Sequence, residues 1–216
     1  MPPSFSLLDL VFPPACGGCG RRGKLWCDEC AGSLVPSTIT ELGGIPLVAA
    51  ARLEGPFQRA IHTYKYRSRP ALAEKLTPHL LTGLRAAGIR LNALGYVPLH
   101  PDRQRQRGFN QAEWLASSLA TQLRLPLVQG LSRVRPTRAQ VGLTGREREL
   151  NVAGAFKWTG ETAPPALIGL VDDVCTTGAT LLAAAGALDT AGGSIAAFLV
   201  LAVPHTLPLP LVTLPE

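Results

Sequence analysis

The stretch Leu167-Ile168-Gly169-Leu170-Val171-Asp172-Asp173-Val174-Cys175-Thr176-Thr177-Gly178-Ala179-Thr180 constrains the fold more than any other part of this 216-residue chain. Leu167 to Val171 is a continuous apolar run, which predicts a strand buried on both faces. Two carboxylates follow at the strand's end, then a hydroxyl-rich turn, then a helix over Thr180 to Leu188. Gly192-Gly193 stops that helix, and Ile195 to Val203 is a second continuous apolar strand. Such strands joined through a helix make a βαβ unit, and so a parallel sheet with helices on its faces. The expected class is α/β. In open α/β sheets ligands bind at the C-terminal ends of the strands, so Asp172 and Asp173 stand where a ligand belongs. The competing reading is an ordinary strand-turn-helix, but a charged pair at a buried strand's end is costly without a partner.

The turn indicates what that partner is. Backbone N–H groups opening a helix, helped by the helix dipole, suit a phosphate monoester. Gly178 and Ala179 supply such groups, while Thr176, Thr177 and Thr180 add hydroxyls. The adjoining carboxylates suit sugar hydroxyls or magnesium. Together they match a ribose 5-phosphate. The stretch is neither GxxxxGK[ST] nor GxGxxG, so ATPase and dinucleotide readings lose support.

Composition narrows the partner further. Charged residues are 17% of the chain, against about 25% in typical domains, yet the net charge is +6. That bias favours an anion, either a phosphorylated small molecule or nucleic acid. The length leaves room for one sizeable core with a small appendage and excludes two large domains. The apolar run Ile195 to Val203 falls far short of the roughly 20 residues of a membrane helix, so no transmembrane span is expected. Leu7 to Phe12 is broken by Asp9 and has no Lys or Arg before it, which argues against a secretory leader and for a reducing, cytoplasmic location.

In that setting Cys16-x2-Cys19-x7-Cys27-x2-Cys30 reads as a structural zinc knuckle, four thiolates around one tetrahedral ion with no open position for a substrate. A pair of redox dithiols is the competing reading. A region with so little core of its own folds around its metal. We place it in residues 1–45, ending at Gly43-Gly44, and assign 46–216 to the ligand-binding domain. There, Leu47 to Leu53 and Ala93 to Leu99 read as strands, Gly55 to Tyr66 as a helix or turn, and Pro70 to Ala87 as a helix kinked or divided at Pro78. Asn110 with Glu113 resembles a capping box opening a helix to Leu123. Arg133 to Asn151, with Arg133, Arg135, Arg138, Arg146 and Arg148, reads as an exposed, mobile excursion.

At Val171 to Thr180 the chain resembles the phosphoribosyl pyrophosphate (PRPP) signature of type I phosphoribosyltransferases. The resemblance extends over nearly the whole chain to the ComF family, through the four cysteines, Tyr64-Lys65-Tyr66, Val97-Pro98-Leu99-His100-Pro101, Arg107-Gly108-Phe109-Asn110-Gln111, and Gln140 with Arg148 and Asn151. It implies a type I phosphoribosyltransferase fold, an open parallel sheet flanked by helices, with a four-cysteine zinc knuckle at the N-terminus. It also implies Mg-PRPP as ligand. Asp172 and Asp173 would be the catalytic pair holding the ribose, the 176–180 turn would hold the 5-phosphate, Leu99, His100 and Arg107 the pyrophosphate, and Lys65 would also bind PRPP. Arg146 and Arg148 would lie on a hood closing over the site. The solvated basic loop is the competing reading of the arginines, and a structural histidine that of His100. The family is associated with DNA uptake in natural competence, which brings single-stranded DNA and competence proteins in as partners. The alternative function is a noncatalytic DNA- or partner-binding protein that keeps the pocket as a sensor.

Overall fold

The structure, a computed structural model, describes residues 13–36, 39–66, 71–137 and 145–205. A short helix α1 (Asp28–Gly32) precedes a hairpin of β1 (Thr40–Leu42) and β2 (Ile45–Arg52). Helices α2 (Gly55–Tyr66) and α3 (Ala71–Ala86) lead to β3 (Ala93–Tyr96). Then come α4 (Pro101–Arg107), α5 (Gln111–Leu123), β4 (Leu131–Arg133), α6 (Gly145–Val152) and β5 (Phe156–Trp158). The last described elements are β6 (Ile168–Val174), α7 (Ala179–Thr190) and β7 (Ile195–Val203).

The expected class is the one observed. Five strands form one sheet in the order β1-β2-β7-β6-β3. All neighbours pair in parallel except β1 against β2. Ile168, Leu170 and Val171 on β6 and Phe198 to Ala202 on β7 are fully buried, as continuous apolar runs demand. One core, on the face covered by α2, α3 and α5, joins Val48, Leu76, Leu115 and Leu199. The other, under α7, joins Leu47, Ile168, Leu181 and Phe198. β4 and β5 form a separate antiparallel pair beside α7.

Several local expectations are corrected. Gly43-Gly44, read as a boundary, is the turn of the β1–β2 hairpin, with Leu42 paired to Ile45. The cysteine region also does not stand apart, since Cys16, Trp26, Cys27 and Cys30 lie in the same core as α2 and α3. Helix α3 runs unbroken through Pro78. The ring removes the N–H that would have bonded the Glu74 carbonyl, and Thr77 Oγ1 donates there instead at 3.5 Å. Asn110 does cap α5, its Oδ1 accepting from Ala112 N–H at 3.0 Å. Glu113, however, accepts from Tyr96 Oη rather than closing a capping box.

Candidate ligand site and metal centre

β3 and β6 are parallel neighbours, and their continuations leave in opposite directions. β6 passes through α7 to β7 on one side, while β3 passes through α5 to Leu127, which bridges Leu94 on the other. The crevice beyond their C-terminal ends is thus a topological switch point, where open α/β sheets bind ligands. Residues 175–180 follow β6 at one side of that crevice, and 97–110 follow β3 at the other.

The first wall follows directly from its sequence. Cys175 N–H bonds Ala202 C=O at 3.0 Å, which anchors the turn to β7. Gly178 then takes a left-handed φ of 81° as the residue before α7. A Cβ there would lie 2.4 Å from Leu42 Cδ1, so conformation and space both require glycine. The first N–H groups of a helix have no carbonyl within that helix to bond. The first residues of α7 line a cleft with Asp172 and Val174 through Leu181, so Thr176, Thr177, Gly178, Ala179 and Thr180 are gathered there with Asp172. Ala179 N–H also reaches Thr177 Oγ1 at 3.5 Å. Cys175 is buried, and burial first, then Asp172, pushes its thiol up to about 12, which makes it a packing residue.

The two carboxylates diverge, as adjacent strand residues must. Asp172 faces the cleft, its Oδ1 accepting from Asp173 N–H at 2.7 Å. Burial first, and the neighbouring Asp173 second, raise its pKa to about 7. Asp173 instead forms an ion pair with Lys65 at 2.9 Å. Lys65 reaches it from the end of α2, where its carbonyl accepts from Gln111 Nε2 at 3.2 Å. Tyr64, fully buried, donates its hydroxyl to the Gln111 carbonyl at 2.7 Å.

The second wall uses its polar groups on itself. His100 is the N-cap of α4, Nδ1 accepting from Asp102 N–H at 3.3 Å. Leu99, half-buried, immediately precedes it. Arg105 pairs with Asp102, and Arg107 Nη1 donates to Gln111 Oε1 at 3.3 Å. Asn110 Nδ2 donates to the Val97 carbonyl at 3.1 Å and ties the loop to the end of β3.

Within the arginine-rich segment Val134, Arg135 and Leu150 are exposed as expected, while Arg133 departs from that expectation. Arg133 is 7% exposed and lies over the Phe156 ring, with 5.2 Å from Cζ to the ring centre. Its Nε is the one buried side-chain polar atom without a partner among the described residues. Burial foremost, then Arg103, lowers its pKa to about 10. Arg135 donates to the carbonyls of Asn151 and Ala153 at 3.1 and 2.6 Å and pins the two ends of the segment together. Arg103 donates to the Thr137 carbonyl at 3.0 Å, so the second wall holds the same segment. Arg146 and Arg148 belong to α6, a helix that its sequence does not announce because it carries little apolar periodicity. Their side chains, with Arg138 and Gln140, lie outside the described residues.

The second centre is the cysteine knuckle. The four sulfurs of Cys16, Cys19, Cys27 and Cys30 lie within 4.8 Å of one another, and Cys19 and Cys27 are 3.7 Å apart. A tetrahedral site with metal–sulfur bonds of about 2.3 Å separates its sulfurs by about 3.8 Å, so the residues fit a metal ion. Gly18 permits the turn, because a Cβ there would meet Cys30 Sγ and the Pro56 carbonyl at 3.0 Å. Burial pushes both Cys16 and Cys30 thiols up. At Cys16, N–H groups of Cys19, Cys27 and Gly18 outweigh it and bring the pKa down to about 6. At Cys30 the neighbouring cysteines reinforce it.

No protein-family model matches the chain. Among curated proteins, it is 30% identical over 176 residues to competence protein F of Haemophilus influenzae, covering 78% of this chain and 75% of that one. It belongs to the competence protein F family. Within the same range, it is 31% identical over 174 residues to DNA utilization protein YhgH of Salmonella typhimurium, covering 78% of this chain and 73% of that one. A solved orotate phosphoribosyltransferase from Aeropyrum pernix aligns with a TM-score of 0.37 and 19% identity, over 81% of this chain and 90% of that one. Among the described residues of this ComF-family chain, no helix is long and apolar enough to cross a membrane.

Proposed function

We propose that this ComF-family protein binds Mg-PRPP in the crevice between β3 and β6 and acts as a phosphoribosyltransferase in the cytoplasmic handling of DNA taken up by the cell. The observation that carries the reading is the cleft that the first residues of α7 share with the carboxylate of Asp172. It offers phosphate donors and a sugar-hydroxyl acceptor side by side. The 5-phosphate would take the N–H groups and hydroxyls of residues 176–180. Asp172 would accept from a ribose hydroxyl. Asp173 would do the same from its opposite side, with Lys65 fixing its orientation.

Magnesium, carried with the pyrophosphate, supplies charge neutralisation of the leaving group. The chain's own contribution is electrostatic. The carboxylates favour positive charge developing at C1, and Arg107 is placed to exchange Gln111 for an anionic oxygen. The described residues 134–137 and 145–152, held by Arg135 and Arg103, would cover the crevice and exclude water from C1. No residue is assigned as general base. In the knuckle we assign zinc, held by Cys16, Cys19, Cys27 and Cys30 in a closed structural role.

The second reading is a noncatalytic protein that binds single-stranded DNA or a competence partner and uses the pocket as a sensor. The names of the relatives and the net charge of +6 favour it. Paired titrations distinguish the two: Mg-PRPP and a single-stranded oligonucleotide, each across a salt series, on wild type and on Arg146→Ala/Arg148→Ala. A hood loses PRPP affinity and leaves the DNA salt slope unchanged. A nucleic-acid surface weakens for every sequence and its salt slope flattens.

A further inference from the structure

One helix joins the cysteine knuckle to the acid pair. The turn between Cys16 and Cys19 presents two carbonyls to α2. Arg59 Nε donates to Gly18 C=O at 2.6 Å, and Thr63 Oγ1 donates to Gly17 C=O at 3.3 Å. Four residues apart, Arg59 and Thr63 share one helix face. Between them Gly17 comes so close that a Cβ on it would stand 3.3 Å from Ala60 Cα. The knuckle is therefore seated on the helix itself and not merely on its side chains.

The next residues of the same helix enter the ligand site. Tyr64 is fully buried with its hydroxyl on the Gln111 carbonyl, and Gln111 in turn bonds the Lys65 carbonyl. Lys65 then places Nζ 2.9 Å from Asp173. Arg59 and Lys65 are six residues apart, about 9 Å along a helix. A short rigid element thus carries the knuckle's position to the carboxylate.

We propose that the metal state of the four cysteines sets the ligand affinity of the acid-pair pocket, with α2 as the link and the Lys65–Asp173 ion pair as its output. The inference rests on the PRPP reading given above. With a metal bound, four thiolates tie residues 16–30 into one unit and the Gly17 and Gly18 carbonyls are fixed. Without it the knuckle loses its main constraint, the seat under Arg59 and Thr63 loosens, and only the Tyr64–Gln111 brace is left to hold Lys65 against Asp173. Asp173, next to the Asp172 that lines the cleft, then has a less firmly fixed cation, and a phosphorylated ligand meets more uncompensated negative charge. Coupling of this kind is reciprocal, so PRPP must tighten metal binding by the factor that metal tightens PRPP binding.

The test uses the full chain. Calorimetric titration with Mg-PRPP should show about tenfold weaker binding after chelator stripping than with zinc loaded, within the usual range of coupling between sites. Competition with a chromogenic chelator should show zinc held more tightly by the same factor when PRPP is present. Because stripping can unfold the chain, Arg59→Met/Thr63→Val provides the second arm. It keeps the four cysteines and should retain one zinc per chain while binding Mg-PRPP about tenfold more weakly. Equal PRPP affinity in the wild type and this variant, both folded and zinc-loaded, overturns the proposal. If neither binds PRPP, the pocket reading fails, and hydrogen exchange of residues 168–180 decides the coupling alone. Faster exchange in the zinc-loaded variant than in the wild type supports it, and identical exchange overturns it.

Discussion

The two walls of the crevice treat their polar groups in opposite ways. Around residues 175–180, a left-handed Gly178 and a buried Cys175 shape a turn whose residues line the cleft with Asp172. Around residues 97–110, His100 caps α4, Arg105 pairs with Asp102, and Arg107 bonds Gln111. The first wall lines a cleft shared with Asp172, which the proposed reading fills with a phosphate. The second is satisfied internally, so any anion that takes Arg107 must displace an existing contact. In the proposed reading, phosphate recognition at the turn sets affinity, and the pyrophosphate side adds a smaller, rearrangement-limited increment.

The largest effect on stability should come from breaking the preformed wall. Gly178→Ala forces a Cβ into a φ of 81° and against Leu42, at an expected loss of about 3 kcal/mol in urea unfolding. Full stability in that variant would mean the turn is not the rigid element described.

Next comes Asp172, which the same wall keeps raised to about 7. A carboxylate raised on folding adds stability below its ordinary pKa near 4, and that contribution is lost as pH rises through 7. Asp172→Asn removes the penalty. The variant should therefore gain about 2 kcal/mol on wild type at pH 8 and nothing at pH 4, by urea midpoints at the two pH values. An unchanged pH dependence would show that Asp172 is not strained by its surroundings.

The self-satisfied wall should respond least. Arg107→Ala should weaken Mg-PRPP by about tenfold, the scale of one charge-assisted contact. His100→Ala should cost only about 1 kcal/mol of stability as a lost cap, with little change in affinity. Should His100→Ala instead reduce affinity more than Arg107→Ala, the contrast between the walls is wrong.

Legibility in the sequence follows the same division. The strands of the βαβ unit are readable because burial on both faces leaves only apolar residues over Ile168–Val171 and β7; Ile195 to Val203 matches β7 to the residue, while β6 runs on through Asp172 and Asp173 to Val174. The turn is readable because its hydroxyls and Gly178 are consecutive. The knuckle's cysteines are readable from spacing, but its seat on α2 is not, because Arg59 meets Gly18 across 41 residues. Gly43-Gly44 carries a hairpin signal that also reads as a boundary. Burial of Arg133 leaves no mark in the sequence, since an arginine lying over Phe156 and bonding Thr137 is spelled like one in solvent. Tyr64 and Gln111 belong to motifs shared with the family, yet their role as the brace behind Lys65 depends on backbone carbonyls that no motif records.

PRPP binding in the cleft between Asp172 and the α7 N-terminus is tested most directly by calorimetric titration of Mg-PRPP into wild type and Asp172→Asn/Asp173→Asn. Wild type should bind saturably and only with magnesium. The double variant should lose at least about a hundredfold in affinity, about 2.7 kcal/mol at roughly 1.4 kcal/mol per factor of ten. Equal affinity in the two proteins would contradict binding at this cleft.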